Sequence, residues 1–184
     1  MNGLLLLLAA LAAVNPPRAR LGLPETAEGR ARLAETAVGA AVALAALWGV
    51  AGASGPFLEA IDVSPETFVI AAGLVIGFAG LRSILRTTPG PEPALDGMRA
   101  SLWPIAFPRL LAPETVALAI AAGARNGVPS TVGSVAVGLV LVVALALVPR
   151  RAVGDGVLRW LGALAGVVLV VVGTVLMIEG VRLV

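Results

Sequence analysis

Long apolar runs alternate with short polar connections along the whole chain. A membrane-spanning helix needs about 20 mostly apolar residues. Six runs meet or approach that length: 3 to about 24, 33–54, 67–85, 101–123, 129–148 and 157 to about 183. Because no connection is long enough to form a soluble domain, the pattern predicts an all-α membrane protein. We expect six transmembrane helices in one polytopic domain, 1–184.

The first run has a second interpretation as a secretory signal peptide. Its leucine-rich part, residues 4–8, resembles the apolar core of such a peptide. A signal peptide also needs a positively charged segment before that core, and none precedes it here. We therefore favour a transmembrane helix.

The composition excludes whole classes of chemistry. The chain is 59% hydrophobic and 13% charged, with a mean hydropathy of +1.00, far from the balance of a soluble domain. It has no cysteine and no histidine, which excludes thiolate and imidazole sites, so we predict no metal site, no cofactor and no enzymatic activity. Asp62, Asp96 and Asp155 all lie in connections, which leaves no aspartyl dyad at membrane depth. A net charge of only +2 argues against a nucleic-acid partner.

The basic residues, all arginine, cluster on one side of the predicted bundle. That side holds Arg18, Arg20, Arg30, Arg32, Arg82, Arg86, Arg99, Arg150, Arg151 and Arg159. Positive charge favours the cytoplasmic side, so both termini are predicted outside. Trp103 and Trp160 begin runs four and six, where interfacial anchors contact membrane lipid. The abundance of Ala, Gly, Val and Arg favours a bacterial source, and hence the cytoplasmic (inner) membrane.

The two halves of the chain resemble each other. Pro17-Arg18 followed by Pro24-Glu25-Thr26 matches Pro108-Arg109 followed by Pro113-Glu114-Thr115, and the triplets are 89 residues apart. The glycines at 73 and 80 match those at 166 and 173, at an offset of 93. Three spans per half is an odd number, which predicts two inverted repeats, about 1–88 and 99–184, with a linker at 89–98. Prolines are expected to break helices one and four.

The broken helices are the predicted site of function, because irregular backbone at membrane depth usually lines a cavity. Charges there are costly and usually pair or serve a ligand, which suggests the pairs Arg18–Glu114 and Arg109–Glu25. Glu25 and Glu114 are the candidates for a coupling proton. The alternatives are that the prolines only kink packed helices and that Arg18, Arg20 and Glu25 reach the headgroups at the cytoplasmic interface. The candidate solute-binding residues are Asn15, Pro16, Pro17, Arg18, Pro104, Pro108, Arg109, Pro113, Glu114 and Thr115.

Two glycine motifs permit close helix approach. Gly73 and Gly77 form one G-x-x-x-G pattern, and Gly162 and Gly166 form another. Such patterns are typical of helix contacts in membranes. They leave open whether these faces pack within the chain or join two copies in a homo-oligomer.

Several short motifs resemble the MarC/SnatA family of six-span proteins, which is grouped with LysE-like exporters. They are Asn15-Pro16, the stretch 104–108 followed by Pro113, the third span around 68–73 and the tail 162–180. The resemblance covers nearly the whole chain and implies transport of small solutes such as neutral amino acids. Arg18, Ala112 and Glu114 stand where the family has glycine, which favours a more polar or charged solute.

These observations predict a secondary transporter or exporter of a small polar solute, for instance an amino acid. It would work by alternating access between the two repeats. The alternative is a non-transporting membrane scaffold or accessory protein. A hydrated cavity between the halves would favour transport, and a dry junction would favour the scaffold.

Overall fold

A computed structural model of the chain describes residues 2–23, 29–85, 98–149 and 152–184. Within these ranges every regular element is helical. The helices are α1 (Gly3–Val14), α2 (Pro16–Leu21), α3 (Gly29–Gly52), α4 (Ser54–Ala60), α5 (Pro65–Leu85), α6 (Met98–Ala100), α7 (Pro113–Asn126), α8 (Val128–Leu147) and α9 (Asp155–Leu183). A distorted helical segment, Ser101–Leu110, lies between α6 and α7.

The apolar runs correspond to the long helices. In the described part of the chain, five helical stretches are long and apolar enough to cross a membrane, or six if one bent pair counts as a single span. That pair consists of Ser101–Leu110 and Pro113–Asn126, which meet at 62°. The predicted all-helical architecture is confirmed for the described residues, and its long helices are consistent with a multi-pass membrane protein. The predicted linker 89–98 lies almost entirely outside the described residues, as does Glu25.

Span one is interrupted at Asn15. Its backbone is left-handed (φ 46°, ψ 66°), a conformation that asparagine tolerates better than most residues. Its N–H donates to the Leu11 carbonyl and closes α1, while its side-chain oxygen accepts from the Arg18 N–H, 3.2 Å away, and caps α2. Pro16 and Pro17 occupy the first turn of α2, where proline is tolerated.

Span four is distorted at the residues that precede its prolines. Trp103 (φ −135°, ψ 118°) and Phe107 (φ −125°, ψ 132°) have extended backbones inside an otherwise helical segment. A proline ring clashes with helical geometry at the residue before it and pushes that residue toward the extended region. Pro104 and Pro108 therefore account for both irregular positions.

Helices α5 and α9 form the closest helix pair of the bundle, and they run antiparallel. A Cβ added to Gly73 would lie 2.6 Å from the Gly173 carbonyl oxygen, and one added to Gly80 would lie 2.6 Å from that of Gly166. Because these neighbours are backbone atoms, only glycine allows this approach. Gly162 is also buried, against Asn15. Gly73, Gly162 and Gly166 are thus buried in contacts within the chain, whereas a homo-oligomer through these faces stays a prediction.

Two arginines cap the C-terminal end of α8. Arg20 donates to the Val148 carbonyl at 3.0 Å, and Arg32 donates to that of Ala146 at 3.1 Å. Positive charge at a helix C-terminus is favourable because the last carbonyls lack helical partners. Arg20 is only 2% exposed, so its role is structural, which differs from the expectation that it reaches the headgroups. We call this end of the bundle the Arg-rich end.

Candidate functional site

A partly open cavity of about 420 Å³ lies among span one, α5 and span four. Its lining runs along α5 from Val75, at the middle of the helix, to Arg82 and Ser83 near the Arg-rich end, and Leu169 of α9 contributes at the same central level. Seven residues of helix rise about 10 Å. The cavity therefore reaches from the Arg-rich half of the bundle to the centre of the predicted membrane.

Four charged side chains face this cavity. Arg18 comes from α2, Arg82 from α5, Arg109 from the distorted segment and Glu114 from the first turn of α7. Arg18 experiences the negative charge of Glu114 and the positive charge of Arg82. Among the described residues, Arg18 and Glu114 share the cavity without forming an ion pair. Their charges interact across it, so the predicted pair exists only as this longer-range attraction.

Arg109 crosses from the second half of the chain to the first. Its guanidinium group lies on the backbone of Gly22, so that a Cβ added there would overlap Cζ and lie 2.6 Å from Nη2. Gly22 has ordinary right-handed backbone angles (φ −87°, ψ −6°). Its lack of a side chain therefore matters for space and not for conformation. The predicted Arg109–Glu25 pair involves a residue outside the described ones.

The remaining predicted site residues divide into two groups. Asn15, Pro108 and Pro113 line the cavity together with the charged residues. Within the described part of the chain, the lining does not include Pro16, Pro17, Pro104 or Thr115. The breaks in spans one and four do come together at one cavity, but only some of their residues face it.

Thr115 closes the break in span four. Its buried hydroxyl lies 2.8 Å from the Leu110 carbonyl oxygen and 2.7 Å from that of Ala112. The Leu111 N–H also donates to the Ala106 carbonyl at 2.8 Å. Threonine hydroxyls commonly satisfy backbone groups freed by a kink. Thr115 therefore stabilises the bend by satisfying carbonyl groups that the break leaves without helical partners.

A buried polar cluster seals the cavity on its inner side. The Asn15 amide donates to Ser83 Oγ and to the Gly162 carbonyl, each at 3.2 Å, and Ser83 Oγ donates to the same carbonyl at 3.2 Å. The cluster joins span one to both α5 and α9. It holds the Asn15 break against the α5–α9 pair.

Sequence reasoning missed the contribution of α5. The charge pattern places Arg82 among the topology determinants, and no motif singles out Ser83 or Phe78. The available signal was a serine next to an arginine in the last turn of an otherwise apolar span. Its importance is visible only in the structure, where the Asn15 side chain donates to Ser83.

The described residues offer no group of three or more acidic side chains that could hold a metal ion. Comparison with protein-family models, with curated proteins and with solved structures found no match for this chain. The resemblance to the MarC/SnatA family therefore stays a prediction from short motifs.

Proposed function

We propose that this protein is a secondary transporter of a small polar solute that works by alternating access between two inverted repeats. The observation that carries the proposal is the charged cavity, which both halves of the chain line at membrane depth. Its volume of about 420 Å³ lies within the usual range of small-molecule sites, roughly 300–1,000 Å³. Charges at such depth cost insertion free energy, so they imply a function that needs them.

Reciprocal contacts support the inverted repeats. In the repeat, Gly73 corresponds to Gly166 and Gly80 corresponds to Gly173. Gly73 approaches Gly173, and Gly80 approaches Gly166. Each glycine of α5 therefore contacts the counterpart of the other α5 glycine. Two equivalent helices that cross antiparallel in this way are related by an approximate two-fold axis in the membrane plane, as in many transporters.

A second reciprocal contact lies between the broken spans and their neighbours. Val14 of span one packs on Gly138 of α8, and Ile105 of span four packs on Gly39 of α3. Val14 and Ile105 stand three residues before the prolines of Pro17-Arg18 and Pro108-Arg109. The equivalent positions of the two halves thus make equivalent contacts.

The helix contacts also suggest a state that is open at one end. α1 packs against α9, whereas its counterpart Ser101–Leu110 makes at most marginal contact with α5 within the described residues. The cavity occupies that gap. At the other end of the bundle, Arg125 of α7 and Glu179 of α9 form an ion pair at 3.2 Å. If the Arg-rich end is cytoplasmic, this conformation faces inward.

Distances between spin labels test the proposal, because the chain has no cysteine of its own. One labelled pair, Phe78→Cys with Phe107→Cys, spans the open gap, and another, Leu4→Cys with Ile178→Cys, reports on α1 and α9. All four positions are exposed. In lipid nanodiscs we expect candidate solutes or acidification to shorten the first distance and lengthen the second. Two fixed distances under every condition would favour the scaffold instead.

Glu114 is the proposed carrier of a coupling proton, because it is the carboxylate that the described cavity lining contains. Arg18, Arg82 and Arg109 face it from the other walls. In the same labelled pairs, Glu114→Gln is expected to make both distances independent of pH. An unchanged pH response in that variant would remove Glu114 from this role.

A further inference from the structure

The buried polar cluster of Asn15, Ser83 and Gly162, which we call the Asn15 cluster, connects span one to both helices of the α5–α9 pair. The Asn15 amide donates to Ser83 Oγ and to the Gly162 carbonyl, each at 3.2 Å, and Ser83 Oγ donates to the same carbonyl. Asn15 is 6% exposed and Ser83 is 3% exposed. Water therefore hardly competes for these hydrogen bonds, which are stronger in such surroundings than at a surface.

The second half of the chain has no side-chain donor at the corresponding positions. Ala106 stands two residues before Pro108, as Asn15 stands two residues before Pro17. The offset of 93 that relates the glycines of α5 and α9 assigns the other two counterparts, which are Leu176 for Ser83 and Val69 for Gly162. All three counterparts are buried, and neither alanine nor leucine can donate a hydrogen bond from its side chain.

The proposed exchange between the two halves would break both bonds of the Asn15 amide. Within the described residues, the segment Ser101–Leu110 around Ala106 makes at most marginal contact with α5 and with α9. If span one takes up this arrangement in the exchanged state, Asn15 separates from Ser83 and from Gly162. Ala106 then approaches the α5–α9 pair in its place, and no side-chain hydrogen bond replaces the two that are lost.

We infer that the Asn15 cluster is a one-sided lock, which makes the state with the open gap at the Arg-rich end the resting conformation. This inference rests on the proposed function and names the residues that regulate it. Two hydrogen bonds lost without replacement shift a two-state equilibrium roughly tenfold or more. A solute that drives the exchange must therefore bind the exchanged state more tightly than the open state by at least about that factor.

The two spin-label pairs of the transport test measure the populations of both states, here in nanodiscs without solute and at constant pH. Asn15→Gly removes both amide bonds and retains a residue that accepts the left-handed backbone of this position. We expect the ratio of exchanged to open state to rise roughly tenfold or more. The label distance across the open gap should then shorten, and the distance between α1 and α9 should lengthen.

Ser83→Ala separates the lock from the cap of α2. It removes one of the two amide bonds but leaves the bond between Asn15 and the Arg18 N–H intact. We expect a rise of roughly fivefold in the same ratio, and this variant carries the test if Asn15→Gly does not fold. Ser134→Ala is the matched control, because its hydroxyl donates to the Ser130 carbonyl of its own helix. An equal shift in the control would contradict the inference.

Ala106→Asn supplies the missing donor to the second half. In the exchanged state the new amide would lie near the Val69 carbonyl, as the Asn15 amide lies near that of Gly162. Added to Asn15→Gly, it should raise the exchanged population further. Ala106→Leu has a side chain of similar size without a donor, and is the control. An equal effect of the two substitutions would assign the shift to side-chain volume and would contradict the inference.

The same distances distinguish failure of the lock from failure of the proposed function. If solutes or acid move the distances in the wild type but Asn15→Gly and Ser83→Ala do not, the lock is wrong and the transport proposal stands. If the two variants move the distances but no condition moves them in the wild type, the lock is supported and the transport proposal loses its support. Distances that stay fixed in every variant and condition overturn both.

Discussion

Two helix–helix seams occupy corresponding places in the proposed repeats. One lies between α1 and α9, the other lies between the segment Ser101–Leu110 and α5, and only the first is closed in the described structure. In the first, α1 packs on α9. In the second, the distorted segment Ser101–Leu110 packs on α3, where Ile105 contacts Gly39, and it makes at most marginal contact with α5 in the part of the chain that the structure describes. Both broken spans pack on the second long helix of the other half, but only α1 also packs closely on the third, and the proposed alternating access would exchange these two arrangements.

Polar groups have different surroundings at the Asn15 break and at the open gap. At the Asn15 break, the side chain of Asn15 satisfies the backbone of α2 and joins Ser83 and Gly162 in a buried cluster. At the open gap, Arg82 and Glu114 face a cavity without an ion-pair partner among the described residues. Satisfied polar groups hold a structure together, whereas unsatisfied ones are available for a ligand.

The largest expected effect on stability is at the contact between α5 and α9, because each of these helices forms one side of a seam. In Gly173→Ala the new Cβ would lie 2.5 Å from the Gly73 carbonyl oxygen and 2.7 Å from the Gly77 nitrogen. Backbone atoms cannot move away cheaply, so we expect the free energy of unfolding to fall by about 2–3 kcal/mol. Thermal unfolding in detergent measures the change.

Gly77→Ala is the control for this prediction. It makes the same substitution on α5, but a Cβ there has no atom within 4 Å, so its stability should stay near that of the wild type or rise slightly through helix propensity. Equal losses in the two variants would contradict the close approach of α5 and α9.

A smaller effect is expected at the sealed break. Asn15→Ala removes the cap of α2 and the amide that joins Ser83 to Gly162, and places alanine in a left-handed conformation. We expect a loss of about 2 kcal/mol in the free energy of unfolding. Asn2→Ala is the matched control: it removes a similar capping bond, to the Leu5 N–H, at an exposed helix start, and should cost about 0.5–1 kcal/mol. If the two variants lose the same stability, the buried cluster contributes nothing.

The smallest effect is expected at the closed end. Arg125 and Glu179 are 20% and 34% exposed, and such ion pairs contribute little. A double-mutant cycle with Arg125→Gln and Glu179→Gln should give a coupling below about 1 kcal/mol. The Leu4–Ile178 label distance should nevertheless shift toward longer values in either variant, because the pair links α7 to α9. Arg182→Gln, an exposed arginine of the same end, should leave that distance alone; if it does not, the shift reflects net charge and not the pair.

The approximate limits of the long apolar helices could be predicted from the chain because they depend on local composition. Apolar runs of about 20 residues have few alternatives to a membrane-spanning helix, and the structure reproduces them to within a few residues. The short helix α4, Ser54–Ala60, escaped prediction because it lies between two spans and lacks a run of its own. Pro16 and Pro17 were expected to break span one, but they begin α2, and the interruption falls on Asn15.

The residues of the candidate site could likewise be predicted only in part from the chain. By itself, the sequence determined that this chain has helices long and apolar enough to cross a membrane, charges within apolar runs one and four, and no residue for thiol or imidazole chemistry, since all of these depend on residue type alone. Only the tertiary structure decided that Arg82 joins Arg18 and Arg109 at one cavity, that Thr115 closes the bend and that Gly22 makes room for a guanidinium. Apart from the local bonds of Thr115, which depend on the geometry of the bend, these are contacts between residues far apart in the chain, and they follow from how the helices pack.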